Sequence, residues 1–524
     1  MSELLPLLVA VPIVGALVGL VVGYKFERLA WPLAVVTSLA HTALAAFVAF
    51  EVYAGGEPLS YAVGGFQPPF GIELVVDGLN AAVVVLVAAV ALGILAYARR
   101  AGPHSAAFYT GYLLLVAGLS GMSVTGDMFN LYVFLEITGL AAYALVATGD
   151  DGRSAVGALK YLLVGTVGAS LFLVGIGYAF VATGTLNMAD LAEKLAGVGY
   201  GSTLVRASFA FVVTGLAVKT ALYPLHTWQP EAYASAPDSV SALISALVST
   251  VSAYALGRVI FSVYTVDFLS SVAFAREFVL VLAGISIIAG SVLAVMQTEL
   301  KRMLAYSSVS QFGLVVAAFA IANDAAVTGG VVHLVGHAVM KGGLFLAVGA
   351  IAARTGARYV GEFDGLAARA PLLSAALATL SLSMVGVPPA VGFVGKWYIA
   401  LGAIQSQLWP IAVVILLSTL LTLAYFLRIV ERMYFRSAAP REAPAERSTG
   451  TGAAAVADGG ANDDSDTDDE RPTLGRGSDV DFGSPSAGMV AVILVAALLA
   501  VALGPLVSTF EPLLEPTLDL LLQP

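Results

Sequence analysis

The sequence of 524 residues contains no cysteine, and only 11% of its residues are charged. Without cysteine the chain has no disulfide, no thiolate-ligated iron–sulfur cluster and no thiol nucleophile. Its five histidines show no metal-ligand spacing with nearby carboxylates, and no glycine-rich phosphate loop follows a strand pattern. These absences argue against redox or hydrolytic chemistry in this chain, and we expect it to hold no cofactor.

Apolar residues, in contrast, make up 59% of the sequence, and the mean hydropathy is +0.90. Soluble domains usually carry about 25% charged residues. Windows of about 20 largely uncharged apolar residues, the length that a helix needs to cross a bilayer, recur along the whole chain. Alternating strand patterns are absent. The sequence therefore predicts an all-α integral membrane protein of the cell membrane, in contact with the lipid bilayer and with no nucleic-acid partner.

We place about 14 transmembrane helices along the chain. Their predicted ranges are 3–23, 30–52, 78–98, 107–125, 127–148, 157–183, 205–225, 238–262, 276–297, 303–322, 327–353, 371–405, 409–434 and 488–509. Pro224 interrupts the seventh span, and Gly386, Pro388 and Pro389 interrupt the twelfth. Breaks at membrane depth require protein or a water-filled cavity that satisfies the freed backbone groups.

The spans form two blocks of five, spans four to eight and nine to thirteen, each with a late, proline-broken member. Because five is odd, the second block enters the membrane inverted relative to the first, a recurrent transporter design with ion sites near the midplane. The predicted domains are 1–106 for spans one to three, 107–262 for the first repeat, 276–434 for the second, 437–487 for an acidic loop, and 488–524 for span fourteen and the tail.

The acidic loop and the basic residues predict the orientation. Between Ala438 and Gly488 there are eleven acidic and four basic residues and few large apolar ones, which predicts a disordered loop outside the membrane. The short loops after odd-numbered spans hold Lys25, Arg28, Arg99, Arg100, Arg153, Lys301, Arg302, Arg354, Arg358 and Arg369. By the positive-inside rule these loops and the acidic loop are cytoplasmic, and both termini lie outside.

Four charged residues lie inside apolar spans: Glu136, Lys219, Lys341 and Lys396. A charge at a helix centre costs about 2.5–3.5 kcal/mol on insertion scales, so pairing, burial against partners or hydration must offset that cost. Burial disfavours the ammonium form of a lysine and a nearby carboxylate favours it. A buried Glu–Lys pair therefore supplies a proton switch. The alternative is that each charge snorkels or forms a static salt bridge.

Three titratable residues are spaced four apart in the eleventh span, namely His333, His337 and Lys341, and so share one helix face. We interpret this stripe as a proton relay, the alternative being hydrogen-bonded packing. His226 lies beside Pro224 near a predicted helix end. It acts either as a gate of a half-channel or as an anchor at the membrane interface.

Several long motifs are recognisable together. They are QTELKRMLAYSSVSQFGLV at 297–315, KTALYPLHTWQPEAYASAPDSVSAL, HLVGHAVMKGGLFLAVGAI and GVPPAVGFVGK. Over roughly residues 70–435 the chain resembles the antiporter-like subunits shared by Mrp-type Na⁺/H⁺ antiporters and respiratory complex I. The resemblance implies a 14-helix core with two inverted five-helix repeats, a hydrophilic axis along the membrane midplane, and other subunits of a hetero-oligomeric complex as partners.

The resemblance also implies roles for individual residues. The implied roles are the essential fifth-span glutamate for Glu136, its lysine partner for Lys219, the central relay for His333, His337 and Lys341, and the exit-side lysine for Lys396. One position departs from the family, because the usual eighth-span lysine is Thr250 here. A threonine carries no charge. Either Ser249, Thr250 and Ser252 hold a water wire, or this half-channel is weakened and the chain has an assembly role.

The resemblance extends to a type of subunit. The M-type subunit of complex I has a glutamate where this chain has Lys396, and the L-type and Mrp A-type subunits carry long C-terminal extensions. The stretch FNLYVFLEITGLAAYAL is most similar to the Mrp D type, with the N type of complex I as the alternative. We therefore predict a subunit of a multisubunit monovalent cation (Na⁺)/H⁺ antiporter that moves protons through a buried Glu/Lys/His relay, with protons and Na⁺ as the ions exchanged by the complex. The alternatives are a proton-pumping subunit of a redox-driven complex and a structural subunit. The sequence shows no sodium site with a defined ligand set.

Overall fold

A computed structural model describes residues 2–102, 104–149, 151–437 and 485–522. The helices are α1 (Leu7–Lys25), α2 (Ala30–Gly55), α3 (Gly78–Ala101), α4 (Ala106–Val124), α5 (Met128–Val146), α6 (Gly152–Thr183), α7 (Met188–Val198), α8 (Thr203–Thr220), α9 (Gln229–Ser235), α10 (Asp238–Ser271), α11 (Ala275–Met296), α12 (Leu300–Ile321), α13 (Asp324–Thr355), α14 (Pro371–Val385), α15 (Val391–Gln405), α16 (Trp409–Phe435) and α17 (Ala487–Leu522). Two strands, β1 (Leu59–Ala62) and β2 (Glu73–Val76), form an antiparallel hairpin.

The prediction of an all-α integral membrane protein is confirmed. Within the described residues, 13 helices are long and apolar enough to cross a membrane. The remaining span is the broken twelfth, which consists of the half-helices α14 and α15. Helix α10 is buried along its whole apolar window and α12 and α13 along 94% of theirs, whereas α17 buries only 28%. The three buried helices therefore form the centre, and the outer helices present leucine and valine side chains to lipid.

Both interrupted spans are broken where the sequence predicts it, and by the same kind of helix cap. Helix α8 ends at Thr220 and α14 ends at Val385. The next residue is left-handed in each case, Ala221 with a φ of 64° and Gly386 with a φ of 98°. The following amide then donates to a carbonyl five residues back, which satisfies a helix-end carbonyl in a Schellman motif. These bonds run from Leu222 to Ala217 and from Val387 to Leu382.

A recurring backbone pairing supports the two five-helix blocks. In each block, the segment before the second helix pairs with the segment after the third through two hydrogen bonds. The donor–acceptor pairs are Met128–Leu186 and Met188–Gly126 in the first block, and Leu300–Arg358 and Val360–Thr298 in the second. The two blocks thus repeat the same local geometry at the same spacing. Their orientation across the membrane, and the domain boundaries predicted above, stay predictions.

Three features differ from the sequence-based expectations. The β1–β2 hairpin and the short helix α7 lie in segments predicted as plain loops. Helix α17 continues to Leu522, whereas the last span is predicted to end at residue 509. It continues because Leu514, Leu518 and Leu521 recur at helical spacing and are buried against the protein, which outweighs the lost hydrogen bonds of its prolines. The acidic loop predicted over 437–487 lies, apart from its ends, outside the described residues.

Candidate functional site

A lysine–glutamate ion pair joins the end of α8 to the middle of α5. Lys219 Nζ donates to Glu136 Oε1 at 3.1 Å and to the Tyr143 hydroxyl at 3.2 Å. The lysine side chain is 6% exposed and the glutamate side chain 25%. The two residues that the sequence pairs are therefore in direct contact. The carboxylate is the more exposed partner of the pair.

The break between α8 and α9 is lined by aromatic side chains. His226 lies within this break, three residues before the start of α9, and it is 6% exposed. Its ring stacks on Tyr223, with the centroids 5.1 Å apart, and faces Tyr306 at 5.8 Å. Trp228 Nε1 donates to the Val218 carbonyl at 2.9 Å and satisfies a backbone group at the end of α8. Sequence reasoning missed this role of Trp228, because the acceptor lies ten residues away and is reached only through the break.

A cluster of neutral polar groups lies where the family usually has its eighth-span lysine. Gln229 Nε2 donates to the Tyr233 hydroxyl and to Ser249 Oγ, both at 3.1 Å. Thr250 is fully buried, and its hydroxyl has no hydrogen-bond partner among the described residues. Ser252 bonds the Val248 carbonyl of its own helix at 2.8 Å. Of the three hydroxyls proposed for a water wire, only Ser249 joins a side-chain network.

The stripe predicted in the eleventh span lies on α13 and faces α12. Lys341 is fully buried and donates to the Leu304 carbonyl at 2.7 Å and to Ser307 Oγ, both on α12. Its ammonium therefore has a carbonyl and a hydroxyl as partners and forms no ion pair with a described carboxylate.

The two histidines of the stripe are also completely buried against α12. His333 Nε2 lies 2.9 Å from Gln311 Oε1. The His337 ring packs edge-on against Phe312 at 4.5 Å, and neither of its nitrogens has a partner among the described residues. The shared helix face predicted for His333, His337 and Lys341 is thus present. Their role as a relay stays a prediction.

The last predicted relay residue caps the first half of the broken twelfth span. Lys396, on α15, is 5% exposed, and its Nζ donates to the carbonyls of Met384 and Val385 at 2.9 and 3.1 Å. These are the last two carbonyls of α14, where a helix dipole presents partial negative charge. The helix break therefore supplies the acceptors that replace a carboxylate for this lysine.

Among the described residues no hydrogen bond links Lys219 directly to Lys341. Helix α10, which carries Thr250, contacts both the helix of Lys219 and the helix of Lys341. The described residues also contain no group of three or more histidine or acidic side chains that would hold a metal ion.

The structure contains two further buried ion pairs that the sequence does not predict. Lys301 is predicted to lie in a short loop, but it is 5% exposed and pairs with Asp238. Arg258, on α10, pairs with Asp77, which also caps the start of α3. Both pairs join residues far apart in the chain, so local patterns do not reveal them. For Lys301, the one available signal in the sequence is its position on the same helix face as Leu304 and Ser307, at a spacing of three residues, which indicates that the lysine faces the protein interior.

Many helices long and apolar enough to cross a membrane, two broken spans and buried lysines within the helices define a multi-pass membrane protein with charged side chains inside its helix bundle. Residues 125–422 match the family described as NADH:quinone oxidoreductase/Mrp antiporter, TM. This chain belongs to that family.

Its relatives carry two kinds of name. Over 421 residues the chain is 43% identical to a protein of Desulforudis audaxviator named as the N-type subunit of NADH-quinone oxidoreductase, covering 79% of this chain and 83% of the relative. Over 371 residues it is 33% identical to a Bacillus subtilis protein named as the D-type subunit of an Na⁺/H⁺ antiporter, covering 70% and 74%. A chain in the structure of the archaeal membrane-bound sulfane sulfur reductase, a respiratory membrane complex, matches with a TM-score of 0.86 at 29% identity, covering 100% of this chain and 98% of that one.

The Glu136–Lys219 contact predicts a non-additive effect on stability. Removing one partner of a buried pair leaves an uncompensated charge and costs about 3–5 kcal/mol, whereas replacing both by neutral groups is often close to neutral. We expect Glu136→Gln alone to lower the thermal unfolding midpoint of the solubilised complex more than Glu136→Gln combined with Lys219→Met.

The control is the exposed pair of Lys194 and Asp190, 2.8 Å apart on α7. Exposed pairs contribute about 0–1 kcal/mol, so Lys194→Met and Asp190→Asn are expected to have small, additive effects. Additive losses at Glu136 and Lys219 as well would contradict a coupled buried pair.

Proposed function

We propose that this chain is a proton-translocating subunit of a hetero-oligomeric monovalent cation (Na⁺)/proton antiporter. Protons move through a row of buried lysines that begins at an ion pair and ends at a helix break. The residues proposed for this path are Glu136, Lys219, His333, His337, Lys341 and Lys396. The names of the relatives, which are subunits of ion-transporting or respiratory assemblies, support membership in a larger complex.

The observation that carries this proposal is the Lys219–Glu136 pair at the end of a broken helix. Its 3.1 Å contact stabilises the ammonium, and the 25% exposure of the glutamate lets protonation or a nearby charge weaken that contact. When the carboxylate is neutralised, the buried ammonium loses its counter-charge and is driven to release its proton. The pair therefore acts as a switch.

The other two lysines of the path have neutral acceptors instead of carboxylates. Lys341 has a carbonyl and a hydroxyl, and Lys396 has two helix-end carbonyls. When the ammonium at such a site releases its proton, no unpaired carboxylate is left beside the neutral amine. Loss of a proton therefore creates no buried negative charge, which suits a residue that is loaded and emptied repeatedly.

Lys341 and Lys396 lie on helices that pack against each other, α13 and α15, so their charges are close enough to interact. Packed helices lie about 8–10 Å apart. Two unit charges about 10 Å apart interact by about 1.7 kcal/mol at an effective dielectric constant of 20, and about 1.4 kcal/mol is a tenfold change in occupancy. The arrival of a proton at one of these two lysines thus favours release of a proton from the other.

The second candidate is a proton-pumping subunit of a redox-driven complex. The 43% identity to a subunit named for NADH-quinone oxidoreductase favours it. Because the chain lacks cysteine, iron–sulfur clusters of such a complex would be held by other chains. The same lysine row would then be driven by events at those chains instead of by a sodium gradient.

The test is a ΔpH-sensitive fluorescence assay in everted vesicles from an antiporter-deficient strain that expresses the whole gene cluster. We expect sodium to dequench the dye with the wild-type cluster. The response should fall at least tenfold with Lys219→Ala, because the switch pair is lost, while the amount of assembled complex is unchanged.

Lys194→Ala is the matched control, because Lys194 is 42% exposed in its side chain and pairs only with Asp190 on α7. It should leave the response unchanged. A wild-type response from assembled Lys219→Ala would rule out the proposed path. An assembled wild-type complex that ignores sodium but acidifies vesicles when supplied with a reductant would instead support the redox-driven pump.

Thr250 distinguishes transport from a purely structural role. Thr250→Lys places a titratable group in the gap between Lys219 and Lys341, so we expect a severalfold higher flux in the same assay. Thr250→Met controls for the added volume at this fully buried site and should not raise the flux. An assembled Thr250→Lys complex with unchanged flux would favour the structural subunit.

A further inference from the structure

A second buried lysine–carboxylate pair lies outside the proposed path. Lys301, the second residue of α12, donates to Asp238 Oδ1 at 3.0 Å and to the Ala236 carbonyl at 2.6 Å. Its side chain is 6% exposed and that of Asp238 is 20% exposed. The corresponding values for Lys219 and Glu136 are 6% and 25%. The two pairs thus share their chemistry and their arrangement, with a buried lysine and a more accessible carboxylate.

The carboxylate of this pair connects the lysine to an aqueous surface. Arg358, whose side chain is 55% exposed, lies 3.8 Å from the same Asp238 oxygen. On the other side Asp238 rests against Gly349 of α13, where an added Cβ would lie only 3.0 Å from Asp238 Oδ2. Glycine at this position lets the carboxylate approach the helix that carries Lys341. The pair therefore lies between the surface at the α10 and α12 starts and the central helix.

Helix α12 brings the second pair close to Lys341. Leu304, whose carbonyl accepts from Lys341, is one turn along α12 from Lys301, and Ser307 is six residues from it. At about 1.5 Å of rise per residue, the level of Lys301 and that of the Lys341 contacts differ by about 5–9 Å. The Lys301 ammonium is directed to Ala236 and Asp238, so the Ser307 hydroxyl or water has to complete the connection to Lys341. All of these residues are buried in the described part of the chain.

We propose that the Asp238–Lys301 pair is the loading site that supplies protons to Lys341 from the membrane face predicted to be cytoplasmic. This proposal rests on the proposed function. In the step, the Lys301 ammonium gives one proton to the neutral Lys341 amine through the Ser307 hydroxyl or a water molecule. Lys301 becomes a neutral amine beside the Asp238 carboxylate and is reprotonated from the aqueous face. One proton moves, and no electron or other group is transferred.

Such an entry explains how the central lysine is loaded although Thr250 interrupts the route from Lys219. The competing explanation is a static ion pair, in which Lys301 only caps the Ala236 carbonyl and holds α10, α12 and α13 together. The two explanations differ in whether Lys301 must lose its proton. Arginine keeps the charge and the hydrogen bonds but does not release a proton in proteins.

The experiment is the vesicle assay on the whole complex carrying Lys301→Arg. We expect the assembled complex to have a thermal unfolding midpoint within a few degrees of the wild type and a sodium-dependent flux at least tenfold lower. Asp238→Asn, of nearly the same size, should also lower the flux at least fivefold. Lys194→Arg is the matched control, because it changes an exposed pair, and it should leave the flux unchanged.

An assembled Lys301→Arg complex that keeps more than half of the wild-type flux overturns the loading site. If Lys301→Arg prevents assembly, Asp238→Asn decides, since retained flux there also overturns it and lost flux in an assembled complex supports it. Flux that disappears with Lys219→Ala but survives both of these substitutions rejects the loading site alone. A wild-type complex without sodium-dependent flux rejects the proposed function itself.

Discussion

An ammonium group buried in a low-dielectric interior must find acceptors, and the arrangement of the helices around the lysines follows from that requirement. Lys219 and Lys301 meet it with carboxylates at 3.1 and 3.0 Å. Lys341 and Lys396 meet it with carbonyl and hydroxyl oxygens of neighbouring helices. Two of the four lysines thus have a carboxylate partner, and the other two are held by neutral acceptors. This difference underlies the proposed transfer of a proton from Lys301 to Lys341.

A helix break supplies the acceptors of Lys396 and sets the position of Lys219. An unbroken helix already bonds its interior carbonyls to its own amides, so such a carbonyl has only a second lone pair to offer, as the Leu304 carbonyl of α12 does to Lys341. Ending α14 at Val385 leaves carbonyls to which Lys396 donates, and ending α8 at Thr220 places Lys219 at a helix terminus beside α5. Both ends have the same hydrogen-bonded cap, so the same solution occurs once in each five-helix block.

Hydropathy and proline placement predict the spans, the two breaks and three of the buried lysines, because these features depend on local sequence. Of the contacts between distant segments, the Glu136–Lys219 pair is expected from the family resemblance, whereas the others escaped prediction. Lys301 is predicted as a loop residue because it follows an apolar span, and only packing of α12 against the start of α10 buries it beside Asp238. Likewise, Ser252 is predicted as a water-wire hydroxyl, but it bonds a carbonyl of its own helix, which sequence spacing alone does not decide. The extended end of α17 depends on buried leucines meeting a surface built by other helices.

The central claim is that a buried lysine without a carboxylate partner releases its proton during transport, and Lys341 tests it most directly. The measurement is sodium-dependent proton flux through the purified complex in liposomes, with Lys341→Arg compared with the wild type. Arginine retains the charge and can still donate to the Leu304 carbonyl, but it does not release a proton. The predicted result is background flux from a fully assembled complex. Flux equal to that of the wild type would show that Lys341 never deprotonates, and it would contradict the proposed path.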